Sequence, residues 1–577
     1  MRVRSQTRQR GRSRGPAAAA LLGCGSLLAL VMLVACGGAP AAGPATEPGA
    51  PARPTSVVLT VLHTGDWHGH AFPDAGPDGT LRGGVIAAAA AVARVRAERP
   101  GAVLVLDAGD LLSGPPVVGL SDAGGVRGAP FVRFWEAIQY DAFALGNHEF
   151  DHGRTNLLAL LAQIETPALC ANLLATAPQP PPAQAAAAGA APAPPAPALP
   201  VAPYLVLERA GLRVAVIGLI TSELEGLVDR EALAGMRLVP AAEALRRLMP
   251  ELERISDLQL VLTHCGIEED TELARSVPGI DAILGGHSHL RLEQPRVVAG
   301  VPICHAGAHG RELGRLELTL EPPGAPGAGE ATGRGWRVRG FAYRLLPLVR
   351  TAEAERRVPG ALLVAERELR EQVAGLEREV VGALEQRLGR EHHADSALGG
   401  AVAEALRAAA AADLGAINSG GLRADLGPGP VTRAQLITAL PFGNPVVVLE
   451  LRGSELLEVL AHNARAAATR SHGILQTAGV VCRYAVEPEG SVRLLAAEVG
   501  GRPVDPERTY RLATNSYVAF SQARKYLGLE PARERAHELR LTVREAVEQA
   551  LVAGRLLPPA APRLVRAQPA EPAGVGR

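Results

Sequence analysis

Seven side chains of types that bind divalent cations stand at the ends of short apolar runs. Asp66 and His68 follow VVLTVL (57–62), and Asp110 follows AVLVLDAG (102–109). Asn147 follows AFALG (142–146), His264 closes LQLVLTH (258–264), and His287 and His289 follow AILGG (282–286). Carboxylate, amide oxygen and imidazole without thiolate suit Zn, Mn, Co or Fe rather than copper or an iron–sulfur cluster. Seven ligands are too many for one tetrahedral ion and suit two ions sharing a carboxylate. Two divalent ions bring four positive charges and Asp66 and Asp110 return two negative ones, so the site favours a phosphate oxyanion. Such a pair, roughly 3.5–4 Å apart, can hold both the attacking and the leaving oxygen of a displacement at phosphorus. Next to Asn147, in GNHEFD (146–151), His148 has Asp151 three residues on to hold its imidazole in one tautomer or as a cation. That pair would place a proton donor beside the phosphoryl group or its leaving oxygen.

These residues need a scaffold that delivers them to one place. The apolar runs, together with VAVIGLI (214–220), read as buried strands, and the Ala- and Leu-rich stretches 85–98 and 241–255 have helical period. Strands alternating with helices indicate a layered α/β domain, whose strand carboxyl ends gather along one edge where ligands bind. After a charged segment near 351–390, expected to be helical, a second mixed α/β domain is marked by INSGGLRADL (417–426), ALPFGNPVVVLEL (439–451) and the strand-like TYRLATNSYVAF (509–520). Ala175 to Pro203 is almost entirely Pro, Ala, Gly and Gln, without charge or periodicity, and is expected to be a disordered surface insertion.

The 577 residues suffice for two or three cored domains. With 59 basic and 59 acidic side chains and no basic stripe in the body, polymeric nucleic acid is not an expected partner. Lys525 is the only lysine, which with the Ala-rich runs reflects a GC-rich coding sequence rather than a function. Six arginines between Arg2 and Arg14 precede an apolar run that ends in LVAC, Leu33 to Cys36. Basic residues, a short apolar stretch and a small-residue end read as a signal peptide, and LVAC resembles a bacterial lipobox with Cys36 as the lipidated residue. The expectation is an exported lipoprotein, periplasmic or on the cell surface and anchored to a membrane. No CxxC occurs, so neither a thiolate zinc site nor a redox pair is indicated.

LHTGDWHGH (62–70), DAGDLLSG (107–114), YDAFALGNHEFDHG (140–153), CANL (170–173), VLTHCGIEED (261–270) and IDAILGGHSH (280–289) resemble the 5′-nucleotidase and UDP-sugar hydrolase family. INSGGLRADL and LPFGN resemble its second domain, and the resemblance runs from about Val57 to Ala553. It implies a layered metallophosphoesterase sandwich followed by a mixed α/β substrate-binding domain. The implied organisation is a signal peptide with lipobox over 1–36, a tether over 37–56 and a metallophosphoesterase domain over 57–345 carrying the 175–203 insertion. A connecting helical segment over 346–390, a nucleotide-binding domain over 391–555 and a disordered tail over 556–577 complete it.

By this resemblance Asp66, His68, Asp110 and His289 hold one metal ion, and Asp110, Asn147, His264 and His287 the other, with Asp110 bridging. His148 becomes the transition-state stabiliser, oriented by Asp151. Asn418 and Arg423 match phosphate- and ribose-side contacts, Phe442 and Tyr517 the aromatics that stack on the base, and Asn444 a base contact. An Arg suits phosphate and an aromatic face suits any base.

Departures from the family pattern lie in substrate recognition. The Arg expected before the ESxLG-like segment DSALG (395–399) is absent, with His392 near its position and Arg390 two residues off. The acidic GGDG-like turn expected after Tyr517 reads FSQARKY (520–526), which lacks the carboxylate that would grip ribose hydroxyls. The leading expectation is hydrolysis of nucleoside monophosphates or nucleotide anhydrides, with poor discrimination between ribose and deoxyribose. Hydrolysis of another anion such as a thiosulfate ester, and capture of phosphorylated ligands by a non-catalytic lipoprotein, are the competing expectations.

Overall fold

A computed structural model describes residues 56–176, 199–322, 335–470, 473–487 and 489–567. Cys36 with its leader, and nearly all of the expected tether, lie outside the described residues. No helix among the described residues is long and apolar enough to cross a membrane.

The first part is built on two six-stranded sheets packed face to face. In one, the parallel strands Val57–Thr64, Val103–Asp107, Ala142–Ala144 and Ala168–Leu169 lie side by side, extended by antiparallel Glu312–Glu321 and Arg337–Pro347. In the other, Leu212–Ile220, Leu258–His264, Ala282–Gly285 and Val301–His305 are parallel, flanked by antiparallel Tyr204–Arg209 and Arg296–Val298. Leu59, Val61, Leu104 and Leu106 meet Val214, Val216, Leu260 and Leu262 between the sheets, all essentially inaccessible to solvent. Helix Val85–Glu98 covers the outer face of the first sheet, and helices Ala241–Ile255 and Ile267–Ser276 cover that of the second. Strands buried on both faces require the near-continuous apolar runs seen in the sequence. The layered α/β expectation therefore holds.

The second part centres on a five-stranded sheet in the order Leu475–Ala478, Leu414–Asn418, Thr509–Asn515, Pro445–Arg452 and Ala536–Thr542. Helices Ala397–Ala409, Gly453–Thr469 and Val543–Val552 pack on it, the first capped by the Ser396 hydroxyl accepting from the Gly399 N–H.

Four local expectations are corrected. The segment expected to be helical contains helices Ala352–Arg357 and Gly360–Arg378, but Val380–Leu384 is a strand paired with Gly429–Thr432. TYRLATNSYVAF is a strand only to Asn515; Tyr517–Ser521 forms a π-helical turn, started by the Asn515 carboxamide accepting from the Val518 N–H at 2.8 Å. The tail expected to be disordered begins with Leu556 buried in the core and continues to Leu564–Arg566, a strand beside Val480–Val486. Both ends of the Pro/Ala-rich insertion belong to the fold. Ala175 pairs with Met236, and Leu199 is buried, while 177–198 lie outside the described residues. Apolar side chains too few to show periodicity still go to core when a neighbouring strand edge is open to them.

Candidate active site

The parallel strands of both sheets end at one edge, and all seven candidate ligands emerge there. Asp66, His68 and His289 bring donor atoms within 4.8 Å of one another, as do Asp110, His264 and His287. Asp110 and His68 also lie within that distance of His148. Their backbone is unusual. Asp66, His68, Asp110, His287 and His289 have φ of 54°, 45°, 58°, 75° and 52°, a left-handed region that non-glycine residues rarely occupy. Five such residues at one mouth are strain held in place by the surrounding sheets, which is where functional groups concentrate.

Hydrogen bonds fix how the imidazoles face. His264 Nδ1 lies 2.7 Å from the Ala108 carbonyl, to which it donates, and turns Nε2 to within 3.0 Å of Asp110 Oδ2. His68 Nδ1 lies 3.1 Å from the Leu112 carbonyl, leaving its Nε2 2.9 Å from His289 Nε2. Asp66 is held by the His287 N–H at 3.0 Å and stands 3.5 Å from His289 Nε2. Asn147 Oδ1 is buried without a hydrogen-bond partner. Imidazole, carboxylate and amide groups converging from two directions, with the buried Asn147 oxygen unpartnered, fit divalent cations, because a buried acceptor without a partner is costly unless a cation satisfies it.

The charges point the same way. Burial would raise the Asp110 pKa, but His264, His148 and His68 together hold it well below the usual carboxylate range. Burial pushes Asp66 up to about 7, aided by Asp110. For His148, burial lowers the pKa but Asp151 and Asp110 outweigh it and raise it to about 9. Its Nδ1 lies 2.7 Å from Asp151 Oδ2, and its Nε2 is 4.0 Å from Asp110 Oδ2. The His148 N–H donates to Asp110 Oδ1 at 2.9 Å, tying the two loops together.

Several supporting residues escaped the sequence reading. Glu149 is buried and its carboxylate accepts from the N–H groups of Asp110 at 3.0 Å, Leu111 at 2.6 Å and Gly146 at 2.6 Å. It binds the Asp110 turn to the Asn147 turn, and a Cβ at Gly146 would strike the Asp110 carboxylate. His305 Nε2 pairs with buried Asp270 at 2.8 Å beneath Gly285, and His305 Nδ1 reaches Ser288 at 3.3 Å, backing the GGHSH turn. Thr64, Asp107, Tyr140 and Trp67 form a buried hydrogen-bonded group under Asp66 and His68. Among these, Glu149 carried a signal as a carboxylate two residues from Asn147 within GNHEFD.

The mouth opens into a cavity of about 290 Å³ whose walls come from both parts of the chain. Asn147, His148, Asp151 and His287 line one end, and Asn418, Arg423, Phe442, Asn444, Tyr517 and Tyr526 face them. All five substrate-binding candidates are therefore on its wall, and Tyr526 joins them unanticipated. His392, near the position of the absent family Arg, and Arg390, two residues off, are not on it. The Arg390 N–H donates instead to Asp425.

Sequence and structure comparisons match this arrangement. Residues 59–183 match the calcineurin-like phosphoesterase family, and residues 380–525 match the 5′-nucleotidase C-terminal domain. In this pairing of domains the chain resembles the 5′-nucleotidases among metallophosphoesterases. It is a metal-dependent phosphoester hydrolase. A probable 5′-nucleotidase of Treponema pallidum is 29% identical over 543 residues, spanning 81% of this chain and 87% of that protein. A trifunctional nucleotide phosphoesterase of Bacillus subtilis is 26% identical over 502 residues, but the match spans 80% of this chain and about a third (32%) of that longer protein. The crystal structure of a 5′-nucleotidase precursor from Thermus thermophilus superposes with TM-score 0.64 at 25% identity, covering 89% of this chain and 100% of that one.

Proposed function

We propose that this enzyme hydrolyses nucleoside monophosphates or nucleotide anhydrides with two divalent ions, outside the cytoplasm. The observation that carries the reading is the shared cavity, in which the ligand-bearing turns face Phe442, Tyr517, Asn418 and Arg423 across a nucleotide-sized gap. The names of the relatives above agree with a nucleotide substrate.

Asp66, His68, Asp110 and His289 would hold one ion and Asp110, Asn147, His264 and His287 the other. The ions, whether Zn, Mn, Co or Fe, supply the positive field that neutralises phosphoryl oxygens and favours deprotonation of the attacking water. His148, kept protonated by Asp151, directs Nε2–H at the phosphoryl or leaving oxygen as charge develops there. Arg423 pairs with phosphate oxygens, and Phe442 and Tyr517 stack on the base. Asn418 and Asn444 are positioned to hydrogen-bond substrate; the Asn418 carboxamide is itself held by Asn515 at 3.0 Å.

A phosphate-release screen on AMP, UDP-glucose and a simple phosphate ester tests this, using metal-stripped protein with Mn, Co or Zn added back. Activity that needs metal and favours the nucleotides is expected. Full activity of the stripped protein, or indifference to the nucleoside, would sink the reading. The basic leader, short apolar run and LVAC support export with a lipid on Cys36. Mass spectrometry of the native N-terminus checks this, and a mature chain starting elsewhere would remove the anchor.

A further inference from the structure

The turn that lacks the expected acid is not idle. Ser521 Oγ, in FSQARKY, donates at 3.0 Å to Oδ1 of Asp229, a residue of the phosphoesterase domain. Ser521 Oγ also accepts from the Arg230 N–H at 3.1 Å, and Tyr517 OH donates to the Gly226 carbonyl at 3.3 Å. The π-helical turn is thus docked on the segment 224–233 of the other domain, and that segment brings a carboxylate next to the stacking aromatic. Asp229 lines the same cavity as Phe442, Tyr517 and Arg423.

We propose that Asp229 reads the ribose hydroxyls, a carboxylate supplied by the phosphoesterase domain in place of the one missing from the turn after Tyr517. This rests on the nucleotide reading above. Its acceptor capacity is unevenly spent. Oδ1 accepts from Ser521 and, at 3.1 Å, from the Glu231 N–H, whose short helix it caps. Oδ2 has one long contact, to the Ser516 hydroxyl at 3.4 Å. A carboxylate offers about four acceptor sites. Oδ2 therefore keeps capacity for a further donor, and a ribose diol is two donors on adjacent carbons. The carboxylate is also pre-oriented, since Ser521 and the Glu231 N–H fix its plane before substrate arrives. The diol is read only while the two domains are docked, because neither contributes both the aromatic and the acid. A buried hydroxyl partner discriminates through what it leaves unpaired in the wrong complex, so deoxyribose pays by leaving Oδ2 desolvated and short of a donor.

The test compares kcat/KM for AMP, 2′-deoxy-AMP and ribose 5-phosphate in the wild type, Asp229→Asn and Ser521→Ala, each checked for metal content and melting temperature. The wild type is expected to prefer AMP over 2′-deoxy-AMP by about tenfold or more, as befits a hydrogen bond to a charged acceptor. Asp229→Asn should shrink that ratio to within about threefold, while Ser521→Ala, which keeps the carboxylate but removes one of the two groups that fix its plane, should lower it by less. A wild-type ratio near one, with AMP still favoured over ribose 5-phosphate, overturns this role and leaves the nucleotide reading standing. A ratio that survives Asp229→Asn, with both nucleotides slowed together, makes Asp229 a clamp between domains and also overturns it. Indifference between AMP and ribose 5-phosphate overturns the nucleotide reading itself, and this role with it.

Discussion

The metal mouth and the wall that carries Asn418, Arg423, Phe442, Asn444 and Tyr517 line one cavity and are built on opposite principles. The mouth comes from one domain. Its ligands stand at the ends of five parallel strands, Asp66, Asp110 and His264 are almost wholly buried, and five backbones are held in a left-handed conformation. Backing residues such as Glu149 and His305 are buried as well. The wall comes from two domains, and its parts are softer. Arg423 is exposed, Phe442 and Asn444 are half-buried, and Tyr517 and Ser521 are placed by contacts with the segment 224–233. Chemistry that must stabilise a short-lived charge needs preorganised groups, whereas recognition tolerates rearrangement so long as some stacking face and some hydrogen-bond partner are supplied. One departure from the family pattern, the acid-free turn after Tyr517, falls on the wall, where another residue can take over a lost contact.

The sharpest way to break this contrast is at Asp110. Asp110→Ala should lower kcat by about four orders of magnitude or more, since both halves of the ligand set converge on it. A variant that keeps substantial turnover and full metal content would show that the mouth is not one interdependent unit. His148→Ala should cost roughly 10²–10⁴-fold in kcat with metal content unchanged. Because His148 also lies within ligand distance of Asp110 and His68, elemental analysis decides whether it is a proton donor or a ligand. Loss of an ion in that variant would reassign it.

Smaller effects probe the layer behind the ligands and then the wall. Glu149→Gln keeps the side chain's size but leaves one oxygen where two now accept three N–H groups. Metal affinity should fall about 10–100-fold in a competitive chelator titration, as for other groups that orient ligands. Unchanged affinity would mean that the turns hold themselves. Phe442→Ala should reduce kcat/KM on AMP by the loss of one stacked face, about 1–3 kcal/mol or roughly 5–150-fold, and spare ribose 5-phosphate. Equal losses on both substrates would place Phe442 in the framework of the wall rather than against a base.

Much of the mouth was legible in the amino-acid order, because each ligand stands at or within a few residues of a strand end and a parallel sheet sends all such ends to one edge. Asp66, His68, Asp110, Asn147, His264, His287 and His289 needed only that local rule. Glu149 could have been read from its place two residues after Asn147, but its three N–H partners come from two turns that the sequence separates by nearly forty positions. The strand at Leu564–Arg566 and the burial of Leu199 were hidden for a related reason, since such short apolar pieces reveal themselves only against the edge or core that receives them. The wall divides in the same way. Phe442, Asn444, Asn418, Arg423 and Tyr517 were found through local motifs, while the meeting of Ser521 with Asp229, 292 residues apart, was not. Local order determined which groups carry the chemistry and at which sheet edge they emerge, because a strand end is a short-range property. Only the tertiary structure decided which carboxylate shares a cavity with Phe442 and Tyr517, because that depends on how one domain's turn docks on the other's surface.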